Sequence, residues 1–126
     1  TVVQKPEILV QINAAFQKAV GDPNMQVTYG APTVIYVSCK NEDEEIVKGC
    51  NAGVVMENML LEAADLGLGA VYLFGVSQVL FANEEITKLL QIPEGFRTVS
   101  AIAVGTSADA LQERTLGTDK ISTTTL

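Results

Sequence analysis

Residues 51–74 read NAGVVMENMLLEAADLGLGAVYLF, and this stretch decides the class of fold. Val54, Val55, Met56, Met59, Leu60, Leu61, Ala63 and Ala64 cover more than one face of a helix. Gly67 supplies the left-handed residue on which such helices end. The run 70–74 is then apolar and strand-prone. Upstream, Asn41-Glu42-Asp43-Glu44 has the form of a capping box, with Asn41 as cap and Glu44 reaching back, which predicts a helix over 42–66. The acids there suit the positive end of its dipole. Ile46, Val47 and Cys50 continue the apolar surface, so the helix is expected to be buried. Gly49, Ala52 and Gly53 lower its propensity, Gly by about 1 kcal/mol against Ala, yet let a second helix approach closely. It is either a central core helix or the spine of a dimer.

The flanks supply the sheet. Residues 1–3 look like a strand, and Lys5-Pro6-Glu7 starts an amphipathic helix carrying Ile8, Leu9, Ile12, Ala15, Phe16 and Val20 that stops near Gly21-Asp22-Pro23. A loop with two turn clusters follows to Pro32. TVIYVSC at 33–39 suits a strand buried on both faces. After Gly75 come one or two helical turns over 76–81, a short helix opened by Asn83, a turn at Ile92-Pro93-Glu94-Gly95, and a strand over 98–104 closed by Gly105. From Thr106 the chain turns polar and reads as an extended arm, which must dock on its own domain or on a partner's sheet edge. The expected class is α+β: a mixed central sheet flanked by helices.

Composition limits the functions open to this chain. Its 126 residues suit one domain with a sizeable core and no need of disulfide or metal. Hydrophobic residues make up 48% and mean hydropathy is +0.27, which points to a large buried helix or a subunit interface. A net charge of −7 gives nucleic acid and anionic membrane no overall attraction, although a small anionic cofactor needs only one or two local cations. Glu57, Asn58, Glu62 and Asp65 interrupt the longest apolar stretch, so no segment resembles the roughly 20 apolar residues of a membrane span, and no signal peptide is recognisable. Cys39 and Cys50 are not spaced as CxxC, and the chain has no histidine, so a structural zinc site is not expected. They read as reduced, half-buried thiols of a cytoplasmic protein.

Two motifs are decoys. Gly67-Leu68-Gly69 lies between a helix and a strand, the reverse of the dinucleotide fingerprint. Gly75-Val76-Ser77 lacks the second glycine of a nucleophile elbow, Val79 standing there, and without histidine a Ser-His-Asp triad is impossible.

The apolar helix ending in Leu66-Gly67-Leu68-Gly69, the strand after it, then Ile92-Pro93-Glu94-Gly95 and Ala101-Ile102-Ala103-Val104-Gly105 follow in an order and at intervals that resemble the C-terminal two-thirds of the nitroreductase family. The resemblance covers most of 1–126 as one domain, apparently without the family's N-terminal third, which carries an Arg-rich flavin motif. It implies FMN bound at a homodimer interface, with the long helix as spine and C-terminal arms wrapping the partner. It also implies a reaction in which NAD(P)H gives hydride to the flavin, which reduces a small-molecule acceptor such as a nitroaromatic or a quinone. Tyr72, Leu73, Phe74 and Gly75 match the segment beside the flavin ring, with the Phe74 and Gly75 amides facing it. A fixed backbone dipole there steadies the ring as it accepts hydride, and Gly75 has no Cβ to obstruct it. Gln112 and Arg114 occupy the family's Lys-x-Arg pair, which contacts the FMN phosphate. Arg114 keeps the bidentate cation; Gln112 replaces a charge by a dipole. No side-chain acid or base is implied to be catalytic, because the cofactor supplies the redox chemistry.

Two rivals share these residues. One is a non-catalytic dimeric flavin-binding or interaction module that has lost its phosphate site, favoured by Gln112. The other is an unrelated α+β domain whose turns coincide with the family's. A colourless dimer that takes up no added FMN would sink the enzyme reading.

Overall fold

Strand pairing organises the molecule. The computed structural model describes residues 1–80, 83–110, 113, 115, 117 and 121–126, with the side chains of 77, 78 and 80 left aside. In chain order the elements are β1 (Val2–Val3), α1 (Pro6–Val20), β2 (Thr33–Lys40), α2 (Glu45–Asp65), β3 (Gly69–Tyr72), α3 (Phe74–Leu80), α4 (Glu84–Leu89) and β4 (Phe96–Gly105). Among the described residues every strand pair is antiparallel and the strand order is β1-β2-β4-β3, so β4 is a central strand with β2 on one side and β3 on the other. The architecture is the expected α+β sheet with helices.

Alternation along β4 divides the interior into two layers. Ala101 and Ala103 face one way and join Val34, Tyr36, Ile12, Phe16, Ile86 and Leu90 in one core under α1, α3 and α4. Ser100 and Ile102 face the other way, where α2 packs on β4 and β3 through Ala52, Met56 and Ala63. The register slips between Val37 and Ser38, a bulge that keeps β2 paired with β4 out to Lys40 and Phe96. That extra pairing is why β4 begins two residues before the expected 98. Gly105 is needed where it stands, since a Cβ there would lie 2.7 Å from Cδ of Pro32.

The punctuation residues act largely as expected. Pro6 stands in the first turn of α1 and Gly21 closes it with φ 73°. Gly67 turns the chain out of α2 with φ 69°. Asn83 caps α4, its Oδ1 accepting from the amide of Ile86 at 3.2 Å.

Three expectations are corrected. The capping box does not form: α2 begins at Glu45 and no side chain caps it. The carbonyl of Asn41 instead accepts from Nζ of Lys48 at 2.9 Å, and its amide donates to Gly95 at 2.8 Å, so Asn41 is spent on tying the turn to the sheet. Secondly, α2 is covered on one face alone. Lys48, Ala52, Met56 and Ala63 are buried, whereas Ile46, Cys50, Val54 and Leu61 form an exposed stripe, so Cys50 is not half-buried. Thirdly, β3 stops at Tyr72, and the Phe74–Gly75 pair opens α3 rather than ending a strand. The Leu73 amide still bonds the Ala101 carbonyl at 2.8 Å; beyond it, helical winding buries Val76 in the core under α1, which an extended course would not do. Residues 121–126 have no regular element, and Ile121 and Leu126 are exposed.

Candidate functional site

Tyr72, Leu73, Phe74 and Gly75 do converge on one hollow. Tyr72 ends β3 opposite Ile102, Leu73 is buried, and the turn into α3 then throws Phe74 and Gly75 outward. The rings of Tyr72 and Phe74 meet edge to face with centroids 6.0 Å apart. All four residues line a cavity of about 200 Å³ whose other walls include Phe16, Met25, Val27 and Tyr29. Its described lining carries no charge.

Phe74 and Gly75 lie in the first turn of α3, where amides have no acceptor one helical turn back. A methyl built on Gly75 would meet no atom within 4 Å, so the space in front of this backbone is open. The arrangement therefore sets the first-turn amides of a helix beside an apolar, aromatic-walled hollow. That suits a flat ring with acceptors on its rim, and the lack of charge suits the ring end of a cofactor better than its phosphate. Gln112 and Arg114 lie outside the described residues.

Met25, Val27 and Tyr29 complete the wall and were not foreseen. They belong to the loop between α1 and β2, whose sequence signals are turn chemistry at Asp22-Pro23-Asn24 and Tyr29-Gly30-Ala31-Pro32. The loop is held by α1: Asn13 Oδ1 accepts from the Val27 amide at 3.0 Å, and Gln17 Nε2 donates to the Met25 carbonyl at 2.9 Å. These polar groups also border a larger hollow of about 530 Å³ that contains none of the expected residues.

Lys48 and Arg97 are engaged elsewhere. Lys48 is only 2% exposed, and its ammonium donates to Glu45 and to the Asn41 carbonyl. Arg97 also pairs with Glu45, which fastens the start of α2 to β4 on the far side of the sheet. These two donors hold the Glu45 carboxyl below the ordinary glutamate range, Lys48 contributing most. Burial, reinforced by Asp43, pushes the nearby Cys39 thiol up. Among the described residues no group of three or more His, Cys, Asp or Glu could hold a metal ion.

With this geometry in view, residues 3–106 match the family model described as Nitroreductase family. The chain belongs to the nitroreductase family. The matched span runs from β1 to the end of β4 and contains the whole 72–75 segment, while 112 and 114 lie beyond it.

Solved structures share the nitroreductase fold. A nitroreductase with bound FMN from Bacteroides fragilis is 21% identical with a TM-score of 0.80, over 98% of this chain and 74% of that one. A nitroreductase with bound FMN from Desulfitobacterium hafniense is 20% identical with a TM-score of 0.79, over 98% and 73%. An FMN-dependent nitroreductase from Clostridium difficile is 21% identical with a TM-score of 0.71, over 98% and 76%.

Proposed function

We propose that this protein is an FMN-dependent oxidoreductase that works as a homodimer, drawing hydride from NAD(P)H and reducing small acceptors such as nitroaromatics or quinones. The observation that carries the reading is the uncharged, aromatic-walled hollow at Phe74 and Gly75, with open space at the Cβ position of Gly75, in a member of the nitroreductase family. The binding of FMN to the related solved structures supports it.

The hollow fits part of the cofactor. At about 200 Å³ it is below the roughly 300–1,000 Å³ of a complete ligand site, so it would take ring and leave ribityl phosphate outside. The Phe74 and Gly75 amides would donate to ring acceptors, Tyr72 and Leu73 would set the strand end that aims them, and the apolar walls would exclude water. Gln112 and Arg114 are the residues assigned to the phosphate. Bound FMN would supply the acceptance of hydride and its onward delivery as electrons.

The dimer rests on α2. Ile46, Val54 and Leu61 form an exposed apolar row broken by Gly49 and Gly53, as a helix made for close contact with its copy would show. No helix of the described residues is long and apolar enough to cross a membrane, and the free thiols Cys39 and Cys50 suit the reducing cytoplasm.

The test is direct. The purified protein should take up FMN with one flavin per subunit, sediment as a dimer, and oxidise NADH or NADPH when a nitroaromatic or quinone is added. Absence of FMN uptake would sink the reading. Gln112, an uncharged residue at a phosphate position, favours one alternative, a dimeric flavin-binding module without turnover. Tight FMN binding with no oxidation of either nucleotide would select it.

A further inference from the structure

The turn that carries Tyr29 is built against the grain of its sequence. The carbonyl of Thr28 accepts from the Ala31 amide at 2.9 Å, and both residues between them are left-handed, Tyr29 at φ 53° and Gly30 at φ 72°. Two positive φ angles inside such a bond make the mirror-image turn that ordinarily takes Asn-Gly or Gly-Gly, and a bulky aromatic in the first of those places is strained. Burial does not offset the strain, because Tyr29 is 70% exposed.

The base of the turn, in contrast, is firmly held. Val27 and Thr28 are buried, and Asn13 binds the Val27 amide. A strained tip on a rigid base holds the ring ready rather than leaving it loose. It stands over the hollow, where Met25 (41%), Tyr72 (36%) and Phe74 (59%) are also exposed. Four large apolar side chains unprotected around one small, uncharged cavity mark a surface meant to be covered. Three are aromatic, and the hollow's shape and lack of charge favour a flat conjugated ring over a peptide, whose backbone would need polar partners along its length.

We propose that Tyr29 is a flavin-positioning residue, its ring packing on the isoalloxazine held at Phe74 and Gly75, with the strained turn serving to place it. This rests on the FMN reading above. Contact is through the ring, so the phenolic hydroxyl is dispensable.

FMN and riboflavin, which has the same ring but no phosphate, are titrated against the wild-type protein and against Tyr29→Phe, Tyr29→Ala and Tyr29→Gly, with unfolding midpoints measured alongside. Tyr29→Ala and Tyr29→Gly should weaken both ligands by a similar factor, about tenfold for one aromatic stacking contact. Tyr29→Phe should bind within about twofold of wild type, rescue that a purely conformational role for the hydroxyl would not give. Tyr29→Gly relieves the left-handed strain, so its unfolding midpoint should hold or rise while affinity falls.

The inference is overturned if Tyr29→Ala and Tyr29→Gly bind both flavins as wild type does, or if FMN is weakened and riboflavin is not. It is also overturned if affinity is unchanged while the subunit dissociation constant rises, which would make Tyr29 a partner contact. Failure of wild type to bind either flavin removes the FMN reading and this inference together. Wild-type binding with an unaffected Tyr29→Ala removes the inference alone.

Discussion

Replacing Gly75 by alanine should move stability and flavin affinity in opposite directions. Gly75 lies in α3 without a positive φ, and a Cβ there would meet no atom within 4 Å. The methyl therefore costs nothing sterically within this chain, and alanine loses less backbone freedom in a helix than glycine. The gain is about 0.5–1 kcal/mol, toward the lower end because Gly75 is in the first turn. For a domain of this size that raises the melting temperature by about 2–4 °C. The same methyl enters the space from which a ring would approach the Phe74 and Gly75 amides. A bound ring must retreat or tilt, and an overpacked contact costs about 1–3 kcal/mol, a loss of about 5- to 150-fold in affinity. Thermal unfolding of the flavin-free protein and an FMN titration read the two effects separately. A variant with raised stability and unchanged FMN affinity would show that flavin does not approach Gly75. One with lowered stability would show that the space is filled by protein.

Two further outcomes probe the frame around the site. Gly105→Ala would set a methyl 2.7 Å from Cδ of the rigid Pro32 ring, and should lower stability by about 1–3 kcal/mol in urea unfolding. The Glu45 carboxyl, held low by Lys48 and Arg97, contributes stability that is fully present above the ordinary glutamate range and is lost as pH falls through its folded-state value. Urea midpoints of Glu45→Gln should therefore fall below wild type near neutral pH and converge with it as pH falls below the ordinary glutamate range; a gap that stays constant would refute the assignment.

Much of the frame around the candidate site was readable one residue at a time, and the remainder was not for reasons of range. Gly21, Gly67 and Asn83 act through bonds to near neighbours, so their punctuation held. Asn41 is not the cap because α2 starts only at Glu45, and its backbone carbonyl instead takes Lys48, seven residues on, whose burial has no local signature in a segment so rich in acids. The Phe74–Gly75 pair reads as a strand end in the sequence; only the packing of Val76 into the core under α1 shows why the chain winds into a helix there. Tyr29 was missed altogether, since nothing in a loop announces the cavity that it overhangs.

The sequence by itself determined the order of helices and strands, the absence of histidine chemistry and the resemblance that carries the family, because hydrophobic period, turn residues and motif spacing are properties of neighbours along the chain. The tertiary structure alone decided which face of α2 is covered, where the cations are engaged, and which side chains meet around Gly75. Those are matters of contact between segments tens of residues apart. In isolation neither α2 nor the 21–32 loop specifies what will lie against it.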